Sequence, residues 1–455
     1  MSINSLHTGY SGLSSAQLGI DTASHNVANA NTEGFTRQRV EQSPSDPRNI
    51  VVGQIGTGVS VDDITRARDA FLDARLRTAL SSHASMETSA DLLSRAENLL
   101  GEPDFGVSTA LDDLFNSFED LSLDATDQGR RIAVLNNLGA LTGRFNAIAN
   151  GLQDLADDAS TRIRVTLESV NALLDEVAEL NGAITLSAST GTTPNDLLDR
   201  RDQRLDELAR SIGSHVATND DGTVRVSLNG LALVDGNRAN HLTWDAGSSS
   251  LLHTTGTAVN AGGSLGGLQS FIVADMPSIR TQLDDLSIDM HDAINATNQL
   301  GFVGVGTSGG DLLTYSPTDP AGTLAVAVTD PDLIAASSDG SAPFPVHNGE
   351  NARLLAELRN SLSAGGGTRS LSAATRSFVT DVGGRTAAAQ RGATTQSNLA
   401  SSAELSRAAS HGVNIDEEMI DLIRYQRAYE AAARVITAAD QALDTLINRT
   451  GIVGR

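Results

Sequence analysis

Apolar residues recur every seven positions at both ends of this chain. Near the start, Leu6, Leu13, Ile20 and Val27 form one such series, and Gly9, Ala16, Ala23 and Ala30 follow three residues behind. Near the end, Ile415, Leu422, Tyr429, Ile436 and Leu443 form a second, with Tyr425, Ala432, Ala439 and Leu446 three residues behind its last four members. Paired positions at this spacing are the a and d seam of a coiled-coil helix. The pattern predicts helices over 2–29 and 414–447. Asn414 suits the N-cap of the second, and Asp416, Glu417 and Glu418 suit the positive end of its dipole. The first seam alternates large with small residues, which lets two backbones approach closely. Two ordinary amphipathic helices in a globular core would give similar periodicity, but the uninterrupted heptads favour pairing of the two termini. The middle of the chain is then an insertion between them.

The insertion is mostly helical in pattern. Asn31 and Gly34 mark the end of the first helix. Gln42 to Ser60 reads as a connecting segment with short strand-like pieces at Ile50-Val51-Val52 and Val59-Ser60-Val61, and helix is expected again from Asp62. A break at Gly101-Glu102-Pro103 precedes a short helix through Leu111, Leu114, Phe115, Phe118 and Leu121. The longest pattern runs from Arg130 to about Ile184. Leu141, Ile148 and Leu155 keep one heptad phase, and Ile163, Val170, Val177 and Ile184 keep another, shifted by one residue. Such a slip changes the local supercoil, and the helix would be roughly 80 Å long. Pro194 opens the highly charged stretch PNDLLDRRDQRLDEL, whose charges read as a mostly solvated helix face.

From His215 the period changes to two. Thr223–Leu228, Leu231–Val234, His241–Trp244 and Leu251–Thr254 read as strands, with turns at Asp221-Gly222, Asn229-Gly230 and Asp235-Gly236. Helix returns over 265–298, 348–362 and 370–410, around a Gly-, Pro- and Asp-rich segment at 301–345. The expected fold is mainly α with a small β part: elongated, with terminal helices paired as a coiled coil, a helical rod-like body and an inserted antiparallel β module. The expected domains are a terminal coil (1–34 and 412–455), a helical body (35–212, 266–300 and 346–411) and the β module with loops (213–265 and 301–345).

Composition narrows the function. The 455 residues carry a formal net charge of -24, and all 32 basic residues other than histidine are arginine. An acidic surface is repelled by nucleic acid and by anionic membranes, so neither is an expected partner. Without lysine there is no P-loop lysine, Schiff base or Ser–Lys dyad. Without cysteine there are no disulfides or thiolate sites. No apolar run approaches the ~18 residues of a spanning helix. The first basic residue is Arg37, so no cleaved signal peptide is expected. Gly262-Gly-Ser-Leu-Gly266 fits G-x-S-x-G, but a nucleophile elbow needs a buried parallel strand before it, and HTTGTAVNA is a poor one. A hydrolase using Ser264 would lose activity on Ser264→Ala; no such activity is expected. Gly304 to Gly309 fits G-x-G-x-x-G without a helix behind it, and reads as a flexible loop. The nine histidines are scattered, and Asp220-Asp221-Gly222 lacks the alternating ligands of a calcium loop. No catalytic, cofactor-binding or metal site is expected.

SGLSSAQLGIDTASHNVANANTEGFTRQRV, Ser11 to Val40, resembles the shared N-terminal motif of the axial proteins of the bacterial flagellum. Thr36-Arg37-Gln38, Asp69-Ala-Phe-Leu72, PNDLLDRRDQRLDEL, GGSLGGLQS, NATNQLGF, FVTDVGGRTA and GVNIDEE are similar to the hook-associated protein 1 family within that group. The resemblance implies a structural, non-enzymatic subunit of the hook–filament junction that is required for filament assembly. It implies secretion through the flagellar type III apparatus. The partners it implies are copies of the chain itself in a helical ring, the hook protein, the second hook-associated protein and an export chaperone for the C-terminal helix. In many relatives an outer domain is inserted near 301–345, where this chain is too short to hold one. The interface residues would be Leu6, Leu13, Ile20, Val27, Ile415, Leu422, Tyr429, Ile436 and Leu443. A secreted adhesin or effector that borrows the coil for export, or another axial subunit, is the alternative.

Overall fold

The computed structural model describes residues 3–50, 53–102, 104 and 106–445. Ser2, Val51, Val52, Pro103, Leu446 and Ile447, to which sequence expectations were attached, lie outside the described residues.

Helix α1 (Ile3–Ala28) is followed by a turn region in which Gly34 takes a φ of +76°, in the left-handed region that glycine tolerates. The chain then forms an antiparallel ribbon. β1 (Gln38–Pro44) pairs with β4 (Val59–Arg66), and β2 (Arg48–Ile50) with β3 (Gly53–Ile55). Helix does not resume at Asp62. The β-branched Val59, Val61, Ile64 and Thr65 continue the strand against β1 to the Gln38–Arg66 pair. Helix α2 (Ala70–Leu100) starts only after Asp69, whose carboxylate accepts from the Phe71 and Leu72 amides.

Helix α3 (Val107–Leu123) is followed by α4 (Gln128–Ser189), the longest helix, and α5 (Asn195–Ile212). Along α4 the buried face runs Val134, Leu138, Leu141, Phe145, Ile148, Leu152, Leu155, then Ala159, Ile163, Leu167, Val170, Leu174, Val177 and Ile184. Four-residue steps around Ala159 absorb the phase slip without leaving the core. Strands β5 (His215–Thr218), β6 (Val224–Leu228), β7 (Leu231–Asp235) and β8 (Arg238–Ala239) form one antiparallel sheet in chain order. Asn229 and Gly230, with φ of 50° and 83°, make its tight hairpin turn. β9 (Leu242–Asp245), β10 (Ser250–His253) and β11 (Ala258–Val259) form a second sheet.

Helices α6 (Gly263–Ser270) and α7 (Met276–Leu300) are joined by a π-helical turn at Phe271–Asp275. Pro277 lacks an amide hydrogen, which accounts for the widened turn. Then come β12 (Phe302–Gly304), β13 (Thr307–Ser308), β14 (Leu313–Thr314), α8 (Pro320–Thr323), β15 (Ala325–Val326), a 3-10 turn at Pro331–Leu333, α9 (Glu350–Glu357), α10 (Leu371–His411) and α11 (Ile415–Asp444). The 304–309 glycine string, expected as a flexible loop, belongs to the antiparallel hairpin β12–β13.

The chain divides into two compact units: 1–81, 169–242 and 397–455 in the first, 82–168 and 243–396 in the second. In both, buried or half-buried asparagines on helices bond to neighbouring backbone. In the first unit, Asn181 donates to the Val224 and Gly236 carbonyls and accepts from the Val224 amide. Asn171 makes the same reciprocal pair with Leu242. In the second, Asn295 accepts from the Leu312 and Leu313 amides and donates to the Leu313 carbonyl. Each side chain substitutes for a missing strand partner, which satisfies backbone groups that would otherwise be buried unpaired.

Candidate assembly interface

The two terminal helices pack against each other within the first unit, and they run antiparallel. Gly9 lies against Ile436, Gly12 against Ala432 and Gly19 against Tyr425, while the Asn26 side chain reaches Glu418. The contact is close because α1 presents small residues. Gly9, Ala16, Gly19 and Ala23 are buried. A Cβ on Gly19 would lie 2.5 Å from the Tyr425 ring, and one on Gly9 would lie 2.8 Å from Ile436 Cγ1. Both distances are below any real packing contact, so glycine is required for this spacing. Of the expected interface residues, Leu6, Leu13, Ile20 and Val27 on α1, and Leu422, Tyr429, Ile436 and Leu443 on α11, are half-buried; Ile415 is exposed.

The pair is closed at one end by a polar clasp. Glu418 is only 2% exposed. Its carboxylate accepts from Arg37 Nε at 2.5 Å and from Asn26 Nδ2 at 2.9 Å. Arg37 also donates to Glu417 at 3.0 Å. Asn26 exchanges both its amide and carbonyl with the Gln38 backbone, each at 2.9 Å. The Arg37 amide donates to the His411 carbonyl at 3.0 Å. The glycine- and asparagine-rich end of the N-terminal motif is thus more than a helix stop. It brings Arg37 back onto the first turn of α11, where a buried carboxylate needs a charged partner.

The charged stretch on α5 overturns the expectation of a solvated face. Asp199, Arg201 and Asp206 are buried. Asp199 accepts from Arg66 at 2.6 Å and from the Thr36 amide at 3.1 Å. Asp202 accepts from Arg66 at 2.9 Å, from Arg77 at 3.3 Å and from Arg68. Asp206 accepts from Arg77 at 2.9 Å and Arg407 at 2.5 Å. Three carboxylates at 199, 202 and 206 share one helix face, and the arginines on them come from the end of β4, the turn that follows it, α2 and α10. That i, i+3, i+7 spacing was visible in the sequence as an amphipathic stripe written in acids. Periodicity of apolar residues alone passes over it.

These groups titrate accordingly. Burial pushes the Asp73 carboxyl up, but the Arg68 hydrogen bond and the Arg68 and Arg77 charges outweigh it and hold the pKa below the ordinary range. Burial, with Arg66, Arg68 and Arg77 around it, brings Arg201 down to about 10, so it stays charged at neutral pH. It donates to Asn181 at 3.1 Å and to the Gly222 carbonyl at 2.8 Å. His411 is lowered, mainly by burial and further by Arg68 and Arg407. Its Nε2 accepts the Asp69 amide at 2.8 Å, which fixes the neutral tautomer with the proton on Nδ1.

Around the clasp, α11 leaves a short apolar row uncovered. Ile415, Met419, Ile420 and Ile423 are between 46% and 66% exposed, and Tyr10 on α1 is 66% exposed. Glu418 and Ala439 are its buried residues among those described. No helix among the described residues is long and apolar enough to cross a membrane. The G-x-S-x-G string opens α6 behind β11, a two-residue antiparallel strand, which is not a nucleophile elbow.

Comparison with known proteins gives a consistent result. A family model described as "Flagellar hook-associated protein FlgK helical domain" matches residues 93–313. Models described as "Flagella basal body rod protein" and "Flagellar basal body rod FlgEFG protein C-terminal" match 6–36 and 409–449. The chain is 30% identical to "Flagellar hook-associated protein 1" of Bacillus subtilis, over 99% of each chain. It is 25% identical to the protein of that name from Escherichia coli, over 97% of this chain and 99% of the other. A solved structure, the flagellar hook junction protein FlgK from Burkholderia pseudomallei, superposes with a TM-score of 0.66 at 17% identity, covering 73% of this chain and 99% of that one.

Proposed function

This chain belongs to the flagellar hook-associated protein 1 family, and from that membership we propose how it works as a structural subunit of the junction between hook and filament. The uncovered apolar stripe on α11, beside the closed seam of α1, is the observation that carries the reading. Burying a large aliphatic side chain contributes about 1.5–3 kcal/mol, and a row of them left in water favours association with a surface of the same period. In our reading the occupants are the terminal helices of neighbouring copies, stacked as a helical ring. Leu6, Leu13, Ile20, Val27, Ile415, Leu422, Tyr429, Ile436 and Leu443, half-buried or exposed in the single chain, complete their burial there. The terminal pair lines the inner layer of the tube.

The hook protein then meets the ring from below, and the second hook-associated protein from above. An export chaperone covers the C-terminal helix before the chain is secreted. No catalytic role is part of the proposal.

The test is complementation of a strain lacking this gene. The deletion is expected to retain hooks and lose filaments, and the native gene to restore them. Ile420→Glu with Ile423→Glu, on the exposed stripe, is expected to leave the subunit folded and exported but filaments absent. Normal filaments in the deletion strain would instead favour a secreted adhesin or effector, and full rescue by the double variant would show that the stripe is not the assembly surface.

A further inference from the structure

The contacts between α1 and α11 step in sevens on both helices. Gly12, Gly19 and Asn26 are one heptad apart, and so are their partners Ala432, Tyr425 and Glu418. A seam built from repeating small residues has an inherent ambiguity: sliding one helix by a heptad returns small residues to small-residue positions. In one sense of sliding, Gly12 would meet Ala439 and Gly19 would meet Ala432, both tolerable. Asn26 would then meet Tyr425, where even the Cβ of Gly19 would stand 2.5 Å from the ring. In the other sense, Gly19 would face Glu418. The carboxylate, 2% exposed, would be carried away from the Asn26 amide and from Arg37, which the His411 carbonyl holds in place. A buried charge without its donors is strongly disfavoured.

We propose that the Asn26–Glu418–Arg37 clasp is the register key of the terminal helix pair, selecting the native pairing from heptad-shifted ones. The apolar and small residues supply the adhesion, and the polar triad supplies the alignment. This goes beyond the placement of the protein in the flagellum and does not depend on it, because the key acts within one chain. It also gives Asn26 a reason to be polar at a position where Gly12 and Gly19 are glycine.

The test uses the absence of cysteine in the chain. Gly12→Cys with Ala432→Cys reports the native register: the Cβ separation is 3.6 Å, within disulfide reach. Gly12→Cys with Ala439→Cys reports the shifted one. Both pairs are equilibrated in a thiol redox buffer in the full-length chain, with and without Asn26→Gly plus Glu418→Leu. With the clasp intact, the first pair closes and the second stays reduced. Without it, the ratio of the two disulfides is expected to fall by about tenfold or more, equivalent to a loss of about 1.4 kcal/mol of register preference. Glu418→Gln, which keeps the size and the Asn26 hydrogen bond, is expected to retain the native pair. Closure of only the native pair without the clasp would mean that the 29–37 connection sets the register, and would overturn the proposal. So would closure of neither pair, or a shift in Glu418→Gln as large as in the Asn26→Gly plus Glu418→Leu variant.

Discussion

Helices α4 and α11 carry the same kind of signal, a heptad of apolar residues, and bury it to opposite degrees. Along α4 the stripe from Val134 to Ile184 is closed inside the chain. Along α11 the heptad residues Leu422, Tyr429, Ile436 and Leu443 are only half-buried against α1, Ile415 is exposed, and Ile420 and Ile423 beside them stand more than half exposed. Periodicity states that a helix needs a partner; it does not state whether the partner is on the same molecule. A helix whose seam is satisfied internally is core, and one whose seam remains open is interface.

The sharpest way to break this contrast is to truncate the closed seam. Phe145, fully buried on α4, is expected to cost about 3–5 kcal/mol on Phe145→Ala, read by denaturant unfolding of the purified subunit. A loss below about 1 kcal/mol would mean that the core relaxes freely and that α4 is no more closed than α11.

Next in size is the acidic stripe of α5. Asp202→Ala removes the shared acceptor of Arg66, Arg68 and Arg77, and breaking such a network is expected to cost about 3 kcal/mol. Replacement by Asn, which keeps acceptor capacity, should cost less in the same titration. Equal losses would show that charge, and not hydrogen bonding, holds the cluster.

Limited proteolysis addresses the open end of the comparison. Before assembly the terminal helices rest on a single shared seam. Cleavage is therefore expected first in α1 and α11, with the residues of 82–168 and 243–396 surviving longer. Equal resistance of tails and middle would remove the distinction between core and interface helices.

The smallest effect concerns pH. His411 binds a proton less readily when folded than its ordinary value of 6.5, so the unfolded chain takes up the proton first as pH falls. The stability it contributes is fully present above about 6.5 and is lost as pH drops through the window below that value. Unfolding midpoints at pH 7.5 and 5.5 should differ in the native chain, and the difference should shrink in His411→Gln. An unchanged difference would place the titration elsewhere.

The antiparallel β turn at Asn229-Gly230, the Asn414 cap and the extents of α1, α4 and α10 were legible because each depends on local chemistry within a few residues. The continuation of the strand from Asp62 to Arg66 was not. Its alternation is interrupted by Asp62-Asp63, and only pairing with β1 decides it. The inward charges of α5 escaped detection for the same reason. A carboxylate faces the interior only if arginines from distant segments meet it, and Arg66 and Arg407 are far from Asp199 and Asp206 in the chain.

By itself, then, the sequence determined where most of the helices lie and that the two ends carry matching seams, since these follow from spacing and local propensity, and its motifs carried the family resemblance. The tertiary structure decided that the ends run antiparallel, that the small residues of α1 are buried ahead of its large ones, and that Glu418 is buried. Those outcomes depend on which surfaces meet, and a buried charge is tolerated only where folding delivers its partners.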